Sequence, residues 1–412
     1  WLQWIESTIW FPTVLTFAAV SLAFMGPGQR WDEALAANKW YVLIVVLCVY
    51  WAATLLNLRG MKTSAGVTKW GTIIGTIVPG AILILLGLGY WAGGNPILLD
   101  MSWDKLVPDM SNFNNLVLAA SIFLFYAGME MSAVHVKDVD NPGRNYPLAI
   151  LISAIITVLI FVLGTLAIGF IIPNSQINLV QSLLITYDSY FSFFGLGWMN
   201  WILALALAVG VLAQVTAWVG GPSKGLYQVC LAGNLPPVMQ KRNKNNVQMG
   251  ILLIQGGIVT LLSIMFVIMP SVQSAYQIIS QLTIILYLIM YMLMFASGIY
   301  LRYREPNTPR TFRIPGGRTF GMWVVGGLGL LASLAAFLVS FIPPNQITVG
   351  SSTMYILLLV AGTFIFAGIP FIIHAMAKPS WKRPVDPEDA FEPFGWEKNN
   401  DSHSTATPSH TI

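Results

Sequence analysis

The chain is 412 residues long, 56% hydrophobic and only 9% charged, with a formal net charge of +4 and a mean hydropathy of +0.70. So few charged side chains cannot clothe a large soluble domain, and the small positive excess gives no reason to invoke nucleic acid. The two cysteines, Cys48 and Cys230, exclude a disulfide framework and read as small hydrophobes within apolar segments.

Apolar stretches near the length of a bilayer core recur ten times, at roughly 1–25, 40–57, 70–92, 115–135, 148–172, 200–221, 249–269, 275–300, 322–342 and 354–376. Lys and Arg fall on alternate gaps. The gaps after even-numbered spans and the C-terminal tail hold eighteen of the 21 basic residues, leaving only Arg30, Lys39 and Lys105 for the gaps after odd-numbered spans. The positive-inside rule then places the even gaps and both chain ends in the cytoplasm of a polytopic, all-α membrane protein. Trp1 is no initiator residue and its apolar run lacks the features of a signal peptide, so the complete protein is expected to begin earlier.

Ionisable groups inside spans are costly, which makes each a functional candidate. Glu6, on the first span beside Gln3, is the earliest of them and a possible proton-linked group. On the fourth span, Ala127 and Gly128 interrupt the apolar run and Glu130 follows. A helix broken at mid-membrane exposes backbone N–H and C=O groups, tolerable where they line a cavity and meet a ligand. The alternative is an unbroken helix with Glu130 near its cytoplasmic end, paired with Lys137 or another helix. The segment 173–199 holds no Lys or Arg and reads as an extracellular loop on the membrane surface.

Gln214 and Trp218 on the sixth span are four residues apart and share a helix face. They offer either an amide and a gating aromatic, with Trp218 a cation–π partner for a substrate amine, or simple packing between helices. Tyr287 and Tyr291 repeat that spacing on the eighth span after Gln273, Gln277 and Gln281, a polar stripe that suggests one wet face if the tyrosines are not interface anchors. Residues 378–412, broken by Pro379, Pro384, Pro387 and Pro393 and ending in Ser, Thr, His and Asn, read as a disordered cytoplasmic tail after a transporter domain at 1–377. No phosphate loop, HExxH, paired cysteines or Ser/His/Asp arrangement appears, so neither an enzyme nor a cofactor or metal is expected.

Three cytoplasmic segments carry a resemblance: Val139-Asp-Asn-Pro-Gly-Arg-Asn-Tyr-Pro147; Gly220-Gly-Pro-Ser-Lys-Gly-Leu-Tyr227 with Gly233-Asn-Leu-Pro236; and Pro309-Arg-Thr-Phe-Arg-Ile-Pro-Gly-Gly317. In this order they resemble signatures of the amino acid–polyamine–organocation transporter superfamily across nearly the whole chain. Gly128-Met-Glu-Met-Ser-Ala-Val-His135 and Asn243-Lys-Asn-Asn246 are most similar to its bacterial glutamate/GABA antiporter branch. The resemblance implies an inverted-repeat fold of five plus five helices around a central site, with the first two family helices absent from this chain.

It also implies that Tyr126, Ala127, Gly128 and Glu130 form the broken segment that contacts substrate, that Trp218 is the gate aromatic, and that Tyr287 and Tyr291 lie near the substrate path. Gln214 stands where that branch carries a carboxylate, and a neutral amide cannot supply protonation-dependent selection there. The function so implied is exchange of an external amino acid such as glutamate for an internal amine product such as GABA, in a bacterial inner membrane. Proton-coupled amino acid or polyamine uptake on the same fold, and a non-transporting membrane sensor or scaffold, stand as alternatives.

Overall fold

The computed structural model describes residues 1–26, 28–102, 109, 111, 113–122, 127–130, 139, 141–308, 310, 312–317, 319–344 and 350–383. Its helices, in chain order, are α1 (Leu2–Ala23), α2 (Gln29–Ala36), α3 (Lys39–Leu58), α4 (Met61–Thr72), a π turn at Ile73–Ile77, α5 (Val78–Ala92), α6 (Phe113–Ile122) and α7 (Pro142–Ile171). There follow α8 (Ser182–Phe193), α9 (Asn200–Leu231), α10 (Met249–Ser263), α11 (Met265–Ile268), α12 (Val272–Arg304), α13 (Phe320–Val339) and α14 (Ser352–Ala375). The described residues contain no strand. Helices suit a bilayer, because a helix satisfies its own backbone where no water can.

Nine helical stretches among the described residues are long and apolar enough to span a membrane. They coincide with nine of the ten expected spans; the remaining one, 115–135, lies partly outside the described residues, with α6 forming its start. Burial separates two roles. In α1, 78% of the apolar window is buried, against 0% in α7 and 6% in α14, so α1 is a core helix and the other two present apolar side chains outward. The reason is neighbours: α1 packs against α3, α9, α10 and α12 at once.

Polar side chains inside these helices satisfy themselves locally. Thr8 donates to the Trp4 carbonyl at 2.7 Å, Thr16 to that of Pro12 at 2.8 Å, Ser223 to that of Val219 at 2.7 Å and Thr283 to that of Ile279 at 3.0 Å. Each hydroxyl thus reaches back one turn and leaves no orphan donor in an apolar layer. Capping follows ordinary rules at the ends: Asn38 accepts from the amides of Trp40 and Tyr41, and Ser271 from that of Ser274.

Two expectations need correction. Residues 173–199 are not a loop resting on the surface, since α8 occupies their centre with Tyr187, Tyr190 and Phe191 buried. Its tyrosines dock by donating to backbone carbonyls, Tyr187 to Pro79 at 2.7 Å and Tyr190 to Ala167 at 2.6 Å, which ties α8 to α5 and α7. The polar stripe on α12 is dry as well. Gln277 and Gln281 are buried, because this part of α12 lies in the middle of the bundle beside α1. At the opposite end of the chain, residues 379–381 form a 3-10 turn. They return to the end of α9, where Gln240 donates to the carbonyls of Cys230 and Trp381 and the Arg383 amide donates to Leu231.

Candidate functional site

Ala127 and Gly128 stand in a turn, and Gly128 has φ +97°, a backbone region that side chains other than glycine's rarely adopt. A second constraint acts on the same residue. A Cβ placed on Gly128 would lie 2.7 Å from Cζ2 of Trp218, so only a glycine lets the turn sit against that ring. The expected interruption of the span and the expected aromatic therefore meet in one place.

Glu130 follows the turn and faces α12. Its Oε1 accepts from the Tyr287 hydroxyl at 2.5 Å, and its Oε2 accepts from the Tyr291 hydroxyl at 2.9 Å and from the Gly128 amide at 3.2 Å. The Gly128 amide also donates to the Tyr287 oxygen at 2.6 Å, and the two phenol oxygens are 3.1 Å apart. Spacing along α12 makes this possible, since residues four apart stack on one face and present both hydroxyls to one carboxylate. Even at about 0.5–1.5 kcal/mol apiece, as for an ordinary hydrogen bond, several bonds together make the cluster a firm tie between the turn and α12. Phe295, a further turn along, stacks on Tyr291 with ring centroids 5.9 Å apart and extends the face in apolar form.

On the other side of the turn, Trp218 is half-buried and packs on Trp10 of α1, with ring centroids 5.5 Å apart. Trp10 lies four residues beyond Glu6. Glu6 is 3% exposed, accepts from the Ser7 hydroxyl at 2.8 Å and is within electrostatic reach of Glu130 and Tyr291. Helix α9, which carries Trp218, is pinned by Asn57 of α3; its amide donates to the carbonyls of Ala53 at 3.0 Å and Thr216 at 2.9 Å.

Of the residues expected from the sequence, Gly128, Glu130, Trp218, Tyr287 and Tyr291 are thus brought together, with Glu6 behind them and Ala127 in the same turn. Tyr126 lies outside the described residues. Gln214 is one turn from Trp218, but its side chain is exposed and has no hydrogen bond among the described residues, so it does not join the cluster. Trp10 and Asn57 were not anticipated. The four-residue step from Glu6 to Trp10 would have marked the first; Asn57, a lone amide in an apolar span, carries no periodic signal. Chemically, the arrangement offers one carboxylate held by three donors and a glycine turn with a two-ring aromatic wall packed against it. It has no nucleophile–base pair, and no group of three or more His, Cys, Asp or Glu side chains placed to hold a metal ion is found among the described residues.

Comparison with known proteins agrees with this architecture. Residues 1–366 match the model of the family described as amino acid permease. An uncharacterized transporter of Legionella pneumophila is 37% identical over 90% of this chain and 79% of its own length. A glutamate/gamma-aminobutyrate antiporter of Lactococcus lactis is 31% identical over 91% of this chain and 74% of its own length. A probable agmatine/putrescine antiporter of the same species is 22% identical over 77% of this chain and 66% of its own length.

Proposed function

We propose that this chain, which belongs to the amino acid permease family and is an amino acid transporter embedded in a membrane, works as an antiporter that exchanges an external amino acid for an internal amine product by alternating access. The observation that carries the reading is the Glu130 cluster. A carboxylate links a glycine turn to α12 through the Tyr287 and Tyr291 hydroxyls, beside the Trp218–Trp10 wall. An α-amino group arriving at the turn finds the face of Trp218, which attracts cations, and a carboxylate one step away. A substrate amine drawn to Glu130 competes with the Tyr287 and Tyr291 hydroxyls for its oxygens, loosening the turn from α12. In this way binding at the turn and movement of the turn are linked.

Glutamate and GABA are the substrates we favour, following the 31% identical relative that is named for them. Gln214 argues for a modified preference within that class, because an amide there cannot change charge with pH. The buried Glu6, held close to Glu130, favours a second reading in which a proton is carried with the amino acid. The membrane is taken to be a bacterial inner membrane with cytoplasmic chain ends.

The test is counterflow in proteoliposomes containing the complete protein. Labelled glutamate should enter vesicles loaded with unlabelled GABA and fail to accumulate in empty vesicles carrying only a proton gradient. Accumulation in the empty vesicles would replace exchange with proton-coupled uptake, and saturable binding without flux in either would replace both with a sensor.

A further inference from the structure

A polar cavity lies away from the Glu130 cluster, between the start of α2, helix α8 and the start of α9. It has a volume of 320 Å³ and is lined by, among others, Gly26, Asp32, Asp188, Ser192, Asn200 and Trp201. None of the described residues that line it is basic. Asp32 is 5% exposed, and its Oδ1 is buried with no hydrogen-bond donor. That oxygen is turned in over Gly26, where a Cβ would lie 2.1 Å from it. Across the cavity, the Asn200 amide donates to Asp188 Oδ1 and is thereby oriented, leaving Asn200 Oδ1 buried and equally without a donor.

These two unpaired oxygens, one on α2 and one at the start of α9, are costly as they stand, since a buried acceptor without a partner loses its hydration for nothing. What resolves this is positive charge bound by oxygen. We propose that Asp32, Asp188 and Asn200 bind a hard divalent cation of the calcium type, with Ser192 and water completing the oxygen shell. Calcium takes roughly 6–8 oxygens in a flexible shell, and at about 30 Å³ per water the cavity accommodates both the ion and its remaining waters. Both α2 and α8 lie in gaps that the distribution of Lys and Arg assigns to the outer face, where such a cation would be met. Its effect would be to tie α2 and α8 to α9, the helix that carries Trp218. The inference does not depend on antiport, and its test does not use transport.

The test is terbium titration of the purified protein in detergent. Trp201, which lines the cavity, serves as the sensitising ring. Saturable emission is expected, displaced by calcium and not by the same concentration of sodium. Asp32→Asn and Asp188→Asn should each weaken terbium binding about tenfold or more, the scale of losses even from residues behind a metal's ligands. Exposed Glu305→Gln should leave it unchanged. Should the Asp variants fail to fold, Asn200→Asp decides, because an added carboxylate must tighten binding at a cation site. Absence of saturable emission, equal displacement by sodium, emission unaltered by both Asp variants, or an Asn200→Asp variant that binds no more tightly would overturn the proposal.

Discussion

Gly128→Ala is the substitution with the most explicit consequence. The residue sits at φ +97°, where a side chain with a Cβ bears about 1–3 kcal/mol of backbone strain. The added methyl also meets Trp218 at 2.7 Å and 3.0 Å, and that ring cannot drift freely because Trp10 packs on it at 5.5 Å. Overfilling a packed site costs about 1–3 kcal/mol more. With about 1.4 kcal/mol for each tenfold, the total is ample for a loss of exchange of roughly tenfold at the least. The assay is counterflow by reconstituted protein, with thermal unfolding in detergent to confirm that the variant still folds. Gly257→Ala on α10 is the control, since a Cβ there meets nothing within 4 Å and should leave exchange intact. Adding Trp218→Phe to Gly128→Ala should return the part due to ring contact and leave the part due to φ. A Gly128→Ala protein exchanging at the parental rate would refute the placement of the turn against Trp218.

Glu130→Gln should reduce exchange by about tenfold while leaving membrane insertion intact, because the amide must point its NH2 group either at the Tyr291 and Gly128 donors or at Tyr287. Parental exchange across acidic and neutral pH would reduce Glu130 to a structural residue. Trp218→Ala should impair transport more than Trp218→Phe, which keeps a ring against Trp10; equal losses would mean packing alone. Gln214→Glu should shift the pH profile or substrate preference by placing a titratable group one turn of α9 from Trp218, and an unchanged profile and preference would remove Gln214 from selectivity. In divalent-free buffer, stability should rise as pH falls toward the ordinary carboxylate range. The folded protein binds protons on Asp32 and Asp188 more tightly than the unfolded chain, so this contribution is complete below the ordinary range and lost as pH rises through the raised values. Thermal unfolding against pH checks it, and Asp32→Asn with Asp188→Asn should flatten the slope; a slope that survives both substitutions has another origin.

Much of this was legible in the sequence, for a physical reason. A bilayer penalises polar groups so strongly that Glu130, Tyr287 and Tyr291 stand out from their spans, and four-residue spacing alone placed the two hydroxyls on one face. Gly128 was equally visible as a break. The same logic fails where a residue's direction depends on its neighbours. Gln214 shares a helix face with Trp218, yet that face is wide enough for the ring to reach the turn while the amide points outward. Gln277 and Gln281 look like a wetted stripe and are instead buried in the bundle, because periodicity reports a polar face without saying what covers it. The aromatic segment around Tyr187 and Tyr190 carries the composition of an interfacial loop, and only the backbone carbonyls of Pro79 and Ala167 turn it into a packed helix. Asn57 and the Asp32–Asp188 cavity bring together residues far apart in the chain, which no local pattern encodes.

The claim on which the account rests is that Glu130 and the α12 tyrosines act as one unit in transport. A double-mutant cycle in counterflow measures this directly, with Glu130→Gln, Tyr287→Phe and the two combined. Groups in one hydrogen-bonded cluster couple by about 0.5–3 kcal/mol, so the account predicts that the combined variant exchanges at close to the rate of the poorer single variant. Losses that simply multiply would show two independent residues and contradict it.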